Sequence, residues 1–346
     1  MPQTLHEADL PAIARGFALL GSGGGGSPHV TELILRRSAK WPVTVYGVEE
    51  IDPSTPCIAV AYVGSTLLLE ERLPDLEPFT PAIDAIERWL GQTSSAVCTL
   101  EGAGMNGLAA LQLAAHRTVV DADCMGRALP DLDQISLLVD GLPGLVAATP
   151  TGAGGVALIH NARPEDVERV LRTATTCNGG WAGFALGGFR AGDLTDHAIL
   201  GGLRRANTLG LALGEASQSS LRELAAKLDG ELLGAGRVVD TRAELGAAEE
   251  VHSFELRTIE GDVLRLVARS EFIALQRNGV VVASSPTIIV ALDAITRVAL
   301  EVDEVGEGKD VILLALAAPT WWVSNPRRLE RVRPSRWGIA GLEETG

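Results

Sequence analysis

Short aliphatic runs alternate with helix-patterned segments through the first 160 residues, and this rhythm narrows the fold more than anything else in the chain. Residues 42–48 and 57–64 read as strands, the second apolar almost throughout and therefore buried on both faces. Residues 83–90 carry helical spacing, 96–100 read as a strand, 106–116 as an apolar helix and 118–122 as a short buried strand. Such alternation calls for a layered α/β domain, in which each helix covers one face of a sheet. Ahead of it, 8–20 reads as a helix with Ile13, Phe17 and Leu20 near one face, and a second helix follows from Pro28 to about residue 39. Pro and Gly gather at 150–155, and the α/β domain is expected to close there, over residues 1–160.

Residues 164–176, 200–213 and 218–228 are helical in pattern, with a glycine-rich stretch at 179–188, so 161–229 is expected to be a helical connecting region. After Gly230 short runs of Val, Leu and Arg are separated by turns such as Glu260-Gly261-Asp262 and Asn278-Gly279. Asn-Gly favours a two-residue hairpin, because both positions tolerate positive φ. Residues 230–346 are therefore expected to form a β-rich domain, which makes the whole an α+β protein of two domains. A chain of 346 residues favours two cores over one. Aromatics are only 4% of the residues, so those cores must be built from Leu, Val, Ile and Ala.

Charge and cysteine usage exclude several classes. The formal net charge of −15 disfavours a nucleic-acid partner, which needs clustered cations. The arginines of residues 327–336 read as a solvated C-terminal segment. Cys57, Cys98, Cys124 and Cys177 form no Cys-x-x-Cys pair, so neither a zinc ribbon nor a disulfide framework is expected, and the six histidines show no metal-binding spacing. The first residues lack a basic-then-apolar leader, and no run of about 18 apolar residues occurs. A cytoplasmic location and no membrane contact are expected.

Gly21-Ser22-Gly23-Gly24-Gly25-Gly26 joins the first two helices. Ser27 can cap the second, and Pro28 suits its first turn. The N–H groups of Gly23, Gly24, Gly25 and Gly26, beside a helix N-terminus, could bind a carboxylate, a phosphate or a developing oxyanion. No Lys-Ser/Thr follows and no strand precedes, so neither a Walker A loop nor a dinucleotide fingerprint is present. The plain alternative is a turn with no ligand.

The densest polar chemistry lies between Glu101 and Asp131. Glu101 and Asn106 follow one strand; Asp121 and Asp123 end another, two apart and so on one face. Paired carboxylates raise one another's pKa, which suits acid–base work, and they could equally hold a divalent metal ion. Arg127 could clamp a substrate carboxylate or neutralise the aspartates. Glu70 and Glu71 could reach the site or form a charged turn. Cys124 lies beside the aspartates, but no histidine stands nearby to activate it.

Residues 16–26, with the glycine loop, and 119–130, with Asp121, Asp123 and Arg127, together resemble the two signatures of the S-methyl thiohydantoin desulfurase-like proteins. Residues 101–106 resemble a further element of that family, 64–73 another with Glu71 at its glutamate, and 284–293 a C-terminal one. Ser270-Glu271-Phe272 partly keeps an Asn-Glu-Asn element. The resemblance implies hydrolysis of a sulfur-bearing imidazolone or hydantoin ring, with release of a thiol or sulfide. In that reaction Asp121 or Asp123 would draw a proton from water, and Glu101 or the second aspartate would supply one. Loop N–H groups and Asn106 would stabilise charge, and Arg127 would anchor a substrate carboxylate. A homo-oligomer is expected, and the family's gene neighbourhood implies a hydantoinase- or oxoprolinase-type partner. The alternative is a non-catalytic binding or accessory subunit.

Overall fold

The computed structural model describes residues 2–65, 68, 77–216, 219–245, 250–339 and 341–343. It comprises two sheets: the second has a cluster of its own, but the main core spans both, with Ile288, Val290, Leu292, Ile312, Leu314 and Leu316 packed among residues of the first half. Described helices of the first half are α1 (Leu10–Leu20), α2 (His29–Ser38) and α3 (Thr80–Leu90). Strands β1 (Gln3–Leu5), β2 (Val43–Tyr46), β3 (Pro56–Gly64), β4 (Ala96–Thr99) and β5 (Thr118–Asp123) accompany them. Then come β6 (Val146–Pro150), β7 (Val156–His160), α4 (Pro164–Cys177), β8 (Trp181–Arg190), β9 (Ile199–Leu200), α5 (Gly202–Glu215) and α6 (Leu221–Lys227). The first sheet runs β1-β2-β5-β4-β3-β8-β6-β7, with β9 paired to β5. Its centre, β2-β5-β4-β3, is parallel, and the strands outside it are antiparallel.

The parallel centre is the expected α/β layer. β3 is buried from Cys57 to Tyr62, as an uninterrupted apolar run in a covered sheet must be. Residues 150–155 hold the turn of the β6–β7 hairpin. Residues 161–229 are not only helical: the glycine-rich stretch is β8, which pairs with both β3 and β6. Its small residues are a packing requirement, since a side chain at Gly183 would strike the Pro78 carbonyl and one at Gly187 would meet Ile86 of α3. The apolar helix expected at 106–116 is a 3-10 helix over Gly104–Leu113.

The second sheet holds β10 (Gly230–Leu245), β11 (Glu250–Arg257), β12 (Val263–Ala268), β13 (Phe272–Arg277), β14 (Val280–Ser284), β15 (Ile288–Asp293) and β16 (Asp310–Leu316). It is antiparallel throughout, in the order β14-β13-β12-β11-β10-β16-β15. Asn278 and Gly279, at φ +50° and +84°, make the two-residue turn between β13 and β14. The sheet curls until its two ends approach, and the glycine loop bridges them. The Ser22 hydroxyl donates to the Ile289 carbonyl of β15 at 2.8 Å and accepts its N–H at 3.2 Å, while the Ser22 carbonyl accepts the Phe272 N–H of β13 at 2.7 Å. The Gly23 carbonyl accepts the Val302 N–H at 2.9 Å.

The arginine-bearing C-terminal segment is not a free tail. Arg328 pairs with Asp140 at 2.6 Å, Arg331 with Glu165 at 2.8 Å, and Arg336 with the buried Asp133. It straps the end of the chain to the first domain.

Candidate functional site

The site lies where the C-terminal ends of the parallel strands meet the second sheet. Leu100 donates its N–H to the Val60 carbonyl, and its own carbonyl accepts from Cys124, each at 2.9 Å, so β4 delivers Glu101 just beyond its last paired residue. α/β sheets usually place their chemistry there. One carboxylate oxygen of Glu101 accepts from the Asn106 amide at 2.7 Å and the other from the Leu129 N–H at 3.2 Å. Asn106 is itself clamped to β3: its oxygen accepts the Tyr62 N–H at 2.7 Å, and its nitrogen also donates to the Tyr62 carbonyl at 2.9 Å. Both amide hydrogens are thus committed, and Asn106 positions Glu101 rather than offering a donor to a ligand. Burial pushes the Glu101 carboxyl up to about 7, against the lowering effect of these hydrogen bonds.

Glu101 stands in the wall of a cavity of about 370 Å3. Gly25, Tyr62, Met125, Asp131, Trp181 and Glu271 line it as well. Tyr62 and Trp181 are 6.1 Å apart between ring centroids and provide an aromatic side. Glu271 comes from the turn joining β12 and β13, is buried, and brings a carboxylate from the other domain. The Gly25 carbonyl accepts the Met105 N–H at 3.1 Å, and this pins the loop beside the segment carrying Asn106. Among the described residues the Gly25 N–H meets no backbone acceptor.

Other expected site residues sit elsewhere. Asp121 and Asp123 do share one space, but it is a void of about 10 Å3, the room of roughly one water. Asp121 accepts the Leu203 N–H at 2.8 Å and the Arg204 N–H at 3.3 Å, so it caps the first turn of α5. Burial raises its pKa, and these bonds oppose the rise. Asp123 accepts the N–H groups of Met125, at 2.9 Å, and Gly126. Burial lifts its carboxyl to about 6. Neither aspartate lines the larger cavity.

Arg127 is buried and donates to backbone carbonyls: Ala128 at 3.0 Å, Thr287 at 2.8 Å and Phe272 at 3.2 Å. It does not line the cavity, and its guanidinium ties the signature turn to β13 and the start of β15. Burial lowers its pKa to about 10, although the charges of Glu271 and Glu101 favour its protonated form. Gly23, Gly24 and Gly26 face a different cavity from Gly25. Glu70 and Glu71 lie outside the described residues. Among the described residues, no group of three or more His, Cys, Asp or Glu side chains is placed to hold a metal ion. Cys57, Cys98 and Cys124 are buried free thiols packed in one core.

Comparison with known proteins bears on the whole chain. A protein from Chromobacterium violaceum, solved by X-ray crystallography, shares the fold with a TM-score of 0.79 at 22% identity, over 99% of both chains. No curated protein matches. Family models described as the N-terminal and C-terminal domains of S-Me-THD-like proteins match residues 8–161 and 162–344. With two sheets in the expected classes and both halves matched, the chain belongs to the S-Me-THD-like family.

Proposed function

We propose that this protein is a hydrolase that cleaves the exocyclic C–S bond of a thiohydantoin-type five-membered ring. The observation that carries this reading is Glu101: a buried carboxyl poised at about 7 in the wall of a ligand-sized cavity. A group with that pKa exchanges protons readily at neutral pH, which is what a general acid–base catalyst needs. Ionised Glu101 takes a proton from water while the water oxygen bonds to the ring carbon bearing sulfur. As the water adds, the C=N electron pair moves to the ring nitrogen, which takes the proton held by Glu101. The remaining hydroxyl proton then passes through Glu101 to the departing sulfur as the C–S bond breaks, so the products are a ring carbonyl, a ring N–H and a thiol.

The surrounding groups support the same chemistry. Tyr62 and Trp181 offer a flat apolar side to a planar ring. The Gly25 N–H meets no backbone acceptor among the described residues and can meet the ring atom where negative charge develops. Glu271, one of three carboxylates lining the cavity with Glu101 and Asp131, is the candidate partner for a ring N–H. Arg172, which lines the same cavity, is held by Glu168 at 2.6 Å and by the Pro130 carbonyl at 2.8 Å, and replaces Arg127 as the candidate anchor for a substrate carboxylate.

Purified protein mixed with an S-methyl thiohydantoin, with thiol release followed by a chromogenic disulfide, tests the reading. Turnover by the chain alone, lost in Glu271→Gln or Glu101→Gln, is expected. Tight ring binding with no thiol release would favour the accessory-subunit reading instead.

A further inference from the structure

Residues 129–131 serve the cavity three times. The Leu129 N–H holds one oxygen of Glu101, the Pro130 carbonyl accepts from Arg172, and Asp131 lines the wall itself. These three residues belong to no helix or strand, so their backbone must be fixed from outside. The C-terminal strap fixes it at three points. The Gln134 amide donates to the Arg331 carbonyl at 2.8 Å, Arg336 pairs with Asp133, and the Trp337 indole N–H donates to the Asp131 carboxylate at 3.0 Å.

Trp337 also reaches the other domain. The Arg269 guanidinium carbon stands 5.9 Å from the centroid of the indole, over its face, and one guanidinium nitrogen is 4.0 Å from the same Asp131 oxygen. Arg269 directly follows β12 and is buried, and its N–H donates to the Glu271 carbonyl at 3.0 Å. One indole is thus joined both to the segment that holds Glu101 and to the turn that carries Glu271.

We propose that Trp337 and Arg269 are positioning residues, a brace that fixes the spacing of Glu101 and Glu271 across the cavity. The role rests on the reading of this cavity as the hydrolase site, but the ionisation of Glu101 reports the brace without any turnover. Loosening residues 129–131 weakens the Leu129 N–H bond, which favours the charged carboxylate, so Glu101 becomes a weaker acid. Of the other charges near it, Asp123 opposes ionisation and Arg127 favours it, while Asp131, Arg172 and Glu271 share the cavity. Trp337→Phe removes none of them; it keeps a ring against Arg269 and loses only the N–H.

Carboxyl 13C titration of the full chain tests this, with the Glu101 signal identified by its loss in Glu101→Gln. The Glu101 midpoint is expected to lie about 0.5 or more higher in Trp337→Phe, roughly threefold in ionisation constant. Arg269→Lys keeps the charge, loses the flat guanidinium face, and is expected to move the midpoint the same way. Arg331→Gln breaks the pair with Glu165 but leaves the Arg331 carbonyl to Gln134, and is expected to leave the midpoint in place. In thiol release, kcat is expected to fall about tenfold in Trp337→Phe with KM within about twofold. A midpoint unmoved or lowered in Trp337→Phe, an equal shift in Arg331→Gln, or a raised KM with kcat unchanged would overturn the proposal. A wild type that releases no thiol while the Trp337→Phe midpoint rises would end the hydrolase reading and support the brace.

Discussion

Replacing Glu101 by Gln keeps the side chain's shape and removes its proton chemistry. Burial holds this carboxyl at about 7, whereas an unperturbed glutamate titrates at 4.5. Below 4.5 both the folded and the unfolded chain carry the proton, and stability is unaffected. As pH rises from 4.5 towards 7 the unfolded chain releases its proton while the folded chain keeps it, so folding weakens across that window. The full effect, reached above about 7, is on the order of 3 kcal/mol. Glutamine cannot ionise and abolishes that slope. It carries its own penalty, because Asn106 and Leu129 both donate to the carboxylate, and one must now face an amide N–H. That mismatch costs ~1–2 kcal/mol. The stability curves of the two proteins are therefore expected to cross: Glu101→Gln is the less stable near pH 4 and the more stable near pH 8, by about 1–2 kcal/mol each way. Urea unfolding at a series of pH values reads this directly, and charges common to both proteins cancel in the difference. The thiol-release rate of the wild type should rise with pH and level off above about 7, and the variant should lose about 100- to 10,000-fold. Parallel stability curves would refute the neutral buried carboxyl; undiminished turnover would refute its catalytic role.

Two further outcomes separate the site from its frame. Asp121→Asn retains an acceptor for the α5 cap and is expected to cost about 1 kcal/mol or less, with thiol release within roughly threefold of wild type. A hundredfold or greater loss would return the role of base to Asp121. Ser22→Ala leaves the buried Ile289 N–H and carbonyl without their partner and should lower stability by about 2 kcal/mol, read from the urea midpoint; an unchanged midpoint would show that the loop is not what holds the curled sheet.

The layered order of the first half was legible because apolar runs such as residues 57–62 can only be covered strands. Glu101 was legible for a related reason: it follows a strand directly, and strand ends converge. Asp121 and Asp123 were harder. Strand alternation correctly put them on one face, but it says nothing of what packs there, and the arriving N-terminus of α5 takes Asp121 as its cap. Glu271 had only a family resemblance to recommend it, because its place opposite Glu101 depends on how the second sheet docks on the first. β8 was hidden by its glycines, which lower strand propensity while allowing α3 to approach. Arg127 carried the right chemistry for a clamp, but its acceptors prove to be carbonyls of the distant β13 and of Thr287.

The division between the two matched family segments falls at residues 161 and 162, yet β8, which completes the first sheet, lies beyond it. Ser22 reaches partners 250 and 267 positions along the chain. Neither segment is therefore a self-sufficient module. On the ribosome the β3 edge stays unpaired until residues 181–190 have emerged, and the glycine loop stays unlatched until residues 272–302 have followed. Glu101 and Glu271 can meet only after that last closure, and a chain cut before β8 is left with an open β3 edge prone to aggregation.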